Sequence, residues 1–218
     1  VPLPMSIPRT PGRPVGDALL QRERLLDAAI DSFAHTGISA SSLRSIADKA
    51  GVTPALVNYY FGNKQRLIET VFEERLQPLL SGIASQLQEH PDDLQQMVSV
   101  LVHSLNETLS QQPWLPPLWV REILCEGGAL RELWVARIGP MIPARLAQRF
   151  AVAQSTQGLN PDLNPRLLVV SLFALVMLPH AAASLLSNIF PDADLRNAAL
   201  TQHTLALLER GLEATHAD

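Results

Sequence analysis

The chain predicts an all-α protein, a three-helix N-terminal unit followed by a C-terminal helical bundle, and three observations carry that expectation. Apolar residues recur at three- and four-residue spacing along most of its 218 residues, as in helices that bury one face. Beyond Phe72 no strand-like alternation or hairpin signal interrupts the pattern. Glycines and prolines fall where helices would stop and start. An apolar content of 47% against 17% charged residues fits a well-buried globular chain and excludes a disordered one. The length suffices for one or two domains with a sizeable core.

The elements follow in order. Residues 1–21, opening VPLPMSIPRTPGRPVG with Arg9 and Arg13, are expected to form a flexible arm that either reaches into a minor groove or is a leader with incidental arginines. An amphipathic helix, RERLLDAAIDSFAHTG, comes next. Ser41 or Ser42 then caps a helix running to about Ala50, with Leu43, Ile46, Ala47 and Ala50 as its inward stripe. Gly51 supplies positive φ to stop it, Val52 tucks under the turn, Thr53 caps the following helix, and Pro54 suits a first turn whose N–H has no intrahelical partner. In that second short helix Val57 and Phe61 face inward, which leaves Ala55, Asn58, Tyr59 and part of Tyr60 turned outward. Gly62 and Asn63 end it, and Asn63 caps a helix beginning at Lys64. Two short helices pivoting on a glycine, with polar and aromatic groups outward, form the layout of a helix-turn-helix DNA reader.

From Lys64 the stripe Leu67, Ile68, Val71, Phe72, Leu76, Leu79 and Leu80 predicts one long helix leaving that unit, a rigid element shared by head and body. Another helix is expected from Asp92 to about Ser110, ended by Pro113. Residues 114–150 read as helices interrupted at Pro116, Pro117, Gly127, Gly128, Pro140 and Pro143. Residues 167–191 hold no charged side chain. Their length would span a bilayer, but Pro179, His180, Ser184, Ser187 and Asn188 interrupt the second half and no basic cluster flanks it, so a helix buried on all sides is expected and no membrane. A last helix, about Asp194 to Ala214, carries Ala198, Thr201, Leu205, Leu208 and Leu212 as a seam that wants a partner helix.

Charge is uneven. Residues 1–66 carry +3 and the rest −7, giving the net −4, which fits either a protein touching phosphates at one end or ordinary surface scatter. The single Cys125 excludes an intrachain disulfide and suits a reducing cytoplasm, and no secretory signal is visible at the start. The histidines at 35, 90, 103, 180, 203 and 216 lack zinc-site spacing. With no phosphate-binding Gly-rich loop and no nucleophile elbow, neither an enzyme nor a metal or other cofactor is expected.

The run SIADKAGVTPALVNYYFGNKQRLI, preceded by RERLLDAAIDSFAHTG, resembles the N-terminal domain of the tetracycline-repressor (TetR) family of bacterial transcription regulators over about residues 22–72. The turn glycine, the aromatic cluster before a glycine and the following lysine fall at the family's spacing. Family members often carry Leu-Tyr-His-Phe or Leu-Tyr-Tyr-His-Phe where this chain has Val57, Asn58, Tyr59, Tyr60 and Phe61, so base preference does not carry over. The resemblance implies a DNA-binding domain over 22–66 and an effector-binding and dimerisation domain over 67–218. It implies a homodimer on double-stranded DNA, most readily a repressor, released by a small-molecule effector.

On helical position, Lys64 is expected at a phosphate, with Thr53, Tyr59 and Tyr60 hydroxyls as further phosphate contacts and Tyr60 also available to pack the head. Asn58 suits adenine, Pro54 and Ala55 a thymine methyl, and Arg44 a guanine, the backbone or solvent. In the region corresponding to the family's pocket, Trp114, Trp119, Trp134, Met141, Phe150, Phe173, Met177 and His180 are the candidate effector contacts, with plain core or dimer packing as the more ordinary role of each. His180 reads either as a hydrogen-bonded core histidine or as an anchor for a ligand's polar group. The surroundings suit an apolar or aromatic effector, anionic if Arg121 or Arg137 points inward. A DNA-binding architectural or partner-recruiting protein without an effector and an all-helical enzyme with a vestigial head are the alternatives.

Overall fold

The computed structural model describes residues 15–88, 93–191 and 197–212, and all regular structure among them is helical. Arg9, Arg13, His90, Asp92 and His216, singled out in the sequence, lie outside the described residues. The first helix, α1 (Val15–Thr36), begins seven residues earlier than the sequence suggests, so the last part of the expected arm is helix. It packs against α2 (Leu43–Ala50) and α4 (Lys64–Val71), and α3 (Pro54–Phe61) packs on α2 and α4. Leu25, Leu26, Ala29 and Phe33 of α1, Ile46 and Ala47 of α2, Val57 and Phe61 of α3, and Leu67 and Val71 of α4 form the core of this head. Each such fully buried leucine or phenylalanine contributes about 1.5–3 kcal/mol.

The long helix from Lys64 is continuous but not uniform. Between α4 and α5 (Gln77–Gln88) lies a π turn, Phe72–Leu76, where Gln77 N–H reaches back to the Phe72 carbonyl. Such a turn inserts an extra residue and rotates the side chains of α5 relative to those of α4. Two more π turns occur in the body. One, Val120–Leu124, follows α7 (Leu115–Trp119); the other, Trp134–Ile138, follows the single turn α8 (Arg131–Leu133).

The body is built around α6 (Leu94–Gln111), whose Met97, Val98, Leu101, Val102, Leu105 and Leu109 are buried. It contacts α5, α10 (Pro165–Ala181) and α12 (Asn197–Leu212). Asp93 caps α6, accepting from Gln96 N–H at 3.0 Å. Pro143 opens α9 (Pro143–Ser155) as its first residue, so the prolines at 140 and 143 separate two helices.

One expectation for the C-terminal half is corrected. α10 is not buried on all sides: Leu167, Val170 and Leu178 are more than 60% exposed, on the face away from the buried Leu168, Leu172 and Val176. It also ends before α11 (Ala183–Ile189) at a 72° bend, and among the described residues no single helix is long and apolar enough to cross a membrane. The α12 seam already has its partner within the chain, since Thr201, Leu208 and Leu212 are buried and α12 packs on α6 and α10.

Gly51 holds the head's pivot at φ +69°, and its N–H and that of Val52 close the C-terminus of α2. Gly51→Ala meets no steric obstacle but places an L-residue in the left-handed region, so urea denaturation should show a loss of about 1 kcal/mol.

Candidate nucleic-acid interface

The turn between α2 and α3 is fixed by bonds local to it. Ser42 and Ser45 form a reciprocal capping box: Ser45 N–H donates to Ser42 Oγ and Ser42 N–H to Ser45 Oγ, both at 3.0 Å. Thr53 precedes α3 in extended conformation, but its side chain makes no capping bond, contrary to expectation; Pro54 at the first position starts the helix instead. Asn63 caps α4, its Oδ1 accepting from Arg66 N–H at 2.9 Å.

With Val57 and Phe61 buried, α3 presents Pro54, Ala55, Asn58 and Tyr59 to solvent, and Tyr59 is 80% exposed. Positions 54 and 58, and 55 and 59, are four apart, so the four share one face of the helix. Thr53 and, on α2, Arg44 are exposed beside it. Tyr60 turns the other way. It is half-buried, donates its hydroxyl to the Ala18 carbonyl at 2.9 Å and meets Tyr59 edge-on at 5.3 Å, so packing the head is its observed role. Lys64 is also engaged: half-buried, it donates from Nζ to the Ser39 carbonyl at 3.3 Å and ties the start of α4 to the α1–α2 corner.

The eight body residues do not surround one opening. Phe150 is fully buried, Met177 is buried, and Trp114, Trp119, Trp134, Met141, Phe173 and His180 are half-buried parts of the packed interior. Met141 borders a cavity of about 60 Å³, beside Leu87, Ile142 and Arg145. Wider clefts lie elsewhere, one of about 760 Å³ between the start of α6 and α9 and one of about 670 Å³ between α6 and α12. Arg121 and Arg137 do not point inward. Both are exposed; Arg121 donates to the His35 carbonyl at 2.7 Å, and Arg137 pairs with Glu73 at 2.8 Å over the Phe72 ring.

His180 does have a partner, one that no sequence pattern reveals. Its Nε2 lies 2.9 Å from Oδ1 of buried Asn106, whose amide donates to the Val102 carbonyl. The acceptor at Asn106 fixes the proton of the neutral ring on Nε2, and burial pushes the His180 pKa down from its ordinary value. Among the described residues no cluster of three or more His, Cys, Asp or Glu could hold a metal ion. Contacts that tie head to body are equally invisible in the sequence. Arg22 makes a two-pronged bond to Glu74 at 2.7 and 2.6 Å, Arg75 reaches Glu23 at 2.6 Å, and Glu122 accepts from Ile38 N–H at 2.8 Å. These partners lie roughly 50 to 85 residues apart, beyond any periodicity.

Residues 25–71 match the family of bacterial regulatory proteins named for tetR. Over 107 residues the chain is 26% identical to the HTH-type transcriptional regulator BetI of Vibrio atlanticus, covering 49% of this chain and 54% of that protein. It is 40% identical over 58 residues to the HTH-type transcriptional regulator SrpR of Pseudomonas putida, covering 27% of each. The chain thus spans about half or less of the length of these curated relatives. Across nearly the whole chain the fold resembles NalD, the secondary repressor of the MexAB-OprM multidrug efflux pump in Pseudomonas aeruginosa (TM-score 0.67, 22% identity, 91% of this chain and 100% of that one). It also resembles the transcriptional regulator FadR of Bacillus subtilis in complex with stearoyl-CoA (TM-score 0.65, 18% identity, 88% and 100%).

The two adjacent tyrosines should separate cleanly. Tyr60→Phe, which loses the bond to Ala18, should lower stability by about 1 kcal/mol, whereas Tyr59→Ala should leave the denaturation midpoint unchanged and weaken binding to duplex DNA in a gel-shift titration. His180 should give the fold a pH dependence. Because its folded pKa lies below the unfolded one, the unfolded chain binds more protons and stability falls as pH drops from about 7.5 to about 5.5. Urea midpoints for His180→Gln should fall less over that interval than those of the wild type.

Proposed function

We propose, for a chain that belongs through its N-terminal domain to the tetR family, that it is a homodimeric bacterial repressor that binds a palindromic operator and releases it when a small apolar or aromatic molecule binds the body. The observation that carries this reading is the α3 face: Pro54, Ala55, Asn58 and exposed Tyr59 stand outward from a helix anchored by buried Val57 and Phe61. Placed in a major groove, Asn58 makes a bidentate pair with adenine and Pro54 and Ala55 meet a thymine methyl. Thr53, Tyr59 and Lys64 contact phosphates, the last from the N-terminal end of α4, Tyr60 packs the head through its bond to the Ala18 carbonyl, and Arg44 reaches the backbone or a guanine. The protein works in the cytoplasm, without catalysis.

The exposed apolar face of α10, with Leu185 and Ile189 of α11 and Leu207 of α12, supports a dimer in which these helices meet their counterparts. Two heads then read successive major grooves about 34–36 Å apart. Effector contacts are assigned to Trp114, Trp119, Trp134, Met141, Phe150, Phe173, Met177 and His180. The Asn106–His180 pair supplies a polar anchor within apolar walls, so entry of a ligand requires the bundle to open. One observation favours a second reading, a body that only dimerises: Leu118 and Phe150 are wholly buried, with the interior closed around them.

In-vitro selection from random duplex DNA at two salt concentrations tests the proposal. An inverted repeat should be enriched, with affinity falling steeply as salt rises; failure of clean, folded protein to enrich any site would overturn the operator reading. Leu178→Glu should give a monomer by light scattering and lose the repeat while keeping its helical circular dichroism. Apolar acids and aromatic compounds that shift the melting temperature and release the operator would sustain the effector, and a panel that does neither would favour the dimerisation module.

A further inference from the structure

Among the described residues Glu122 is the one buried acid, at 4% exposure. It lies in the π turn after α7, in the body, yet its carboxylate faces the head. Oε1 accepts from Ile38 N–H at 2.8 Å and Oε2 from Ala129 N–H at 3.1 Å. A buried carboxylate carries a large desolvation cost unless it is met by donors, and here two main-chain amides, one from each side of the junction, meet it. Its own backbone is equally fixed. Leu130 N–H donates to the Glu122 carbonyl at 3.0 Å, and Gly128 packs so close that a Cβ there would stand 2.4 Å from that carbonyl. Beside it Arg121 Nη1 donates to the His35 carbonyl at 2.7 Å.

The segment these groups grip is the corner between α1 and α2, and it has little slack. Gly37 adopts φ +90°, with Arg121 Cδ 3.0 Å and Glu122 Oε1 3.3 Å from where its Cβ would be. Ser41, buried, donates its hydroxyl to the Gly37 carbonyl at 2.7 Å, and Lys64 holds Ser39. The next residue, Ser42, caps α2. A shift of Ile38 is therefore passed to α2 and α3 almost rigidly. On the body side, the turn holding Glu122 continues directly from Trp119 and α7, which packs on α10.

We propose that Glu122 is the positioning residue through which the body sets the orientation of the helix-turn-helix unit, with Arg121 as its auxiliary. A rearrangement around Trp114 and Trp119 moves the Glu122 carboxylate, and Ile38 follows because its amide is bonded to that carboxylate. The inference rests on the operator-binding reading above and adds a route to the head besides the α4–α5 helix.

The test uses the full-length dimer, the inverted repeat enriched by the wild type and a duplex holding only one half-site. Glu122→Gln keeps size and shape but replaces one acceptor oxygen with an amide NH₂, so one of the two backbone amides loses its partner. Arg121→Ala removes the exposed bond to His35 and serves as a second variant if Glu122→Gln fails to fold. For Glu122→Gln the affinity for the full repeat should fall about tenfold or more, with half-site affinity unchanged because the head itself is intact; Arg121→Ala should move the same ratio less. Equal losses on both duplexes, or no loss on either, would overturn the proposal. A wild type that binds no duplex sinks the operator reading instead, and hydrogen exchange then decides: faster exchange at the Ile38 amide of Glu122→Gln, with global unfolding unchanged, sustains the clamp, and unaltered exchange removes it.

Discussion

A helix of eight residues does not hold its shape in water, and the head depends on two of them, α2 and α3. Their order is imposed from outside. Val57 and Phe61 fix α3 against α2 and α4, Ile46 and Ala47 fix α2, and α2 and α4 rest on α1, whose Leu25, Leu26, Ala29 and Phe33 have no exposure. Everything that presents Asn58 and Tyr59 outward follows from this burial, because caps and turn glycines determine only where the short helices begin and end. The hydroxyl of Tyr60 on the Ala18 carbonyl extends the support to the first turns of α1.

The same α1 is also the element by which the head meets the body, and the polar groups that make this contact cluster on π turns. Phe72–Leu76 offers Glu74 to Arg22 and Arg75 to Glu23 and Asp27 of α1, while its Glu73 pairs with Arg137 within the body. The bond from Arg22 holds the Glu74 carboxyl below its ordinary pKa. Val120–Leu124 offers Arg121 to His35 and Glu122 to Ile38. An inserted residue turns consecutive side chains away from the regular stripe, which lets one helix face its own bundle and the head at once. Exposed pairs of this kind contribute little stability each; their effect is to restrict orientation.

Most of the head is legible in the sequence because its determinants are local. Ser42, Gly51, Pro54, Gly62 and Asn63 each act on their own turn of backbone, and the spacing of Ile46, Ala47, Val57 and Phe61 states which face is inward. The helical start at Val15 is masked by the prolines before it, which outweigh the support that Asp17, Ala18, Leu19 and Leu20 lend to a helix. The exposed stripe of α10 is hidden for the opposite reason. In a run without charges, Leu167, Val170 and Leu178 contrast with nothing, so periodicity cannot tell a face that meets solvent from one that meets the core. Contacts such as Asn106 with His180 and Glu122 with Ile38 join distant residues by single hydrogen bonds and leave no pattern along the chain. The interior around Phe150 shows the same limit: large apolar residues predict burial well and an opening poorly.

Glu122 is bonded to main-chain amides at Ile38 and Ala129, which bears on how such a junction changes over evolutionary time. An amide N–H is the same whatever side chain its residue bears, so positions 38 and 129 can drift without disturbing the bond. Correlated substitution, which betrays contacts between side chains, would therefore be silent here. The constraint falls instead on Gly37, whose φ of +90° disfavours a side chain that would also press on Arg121 and Glu122, and on Gly128, where a Cβ would collide with the Glu122 backbone, and a lineage that altered this junction would register it as the loss of a glycine.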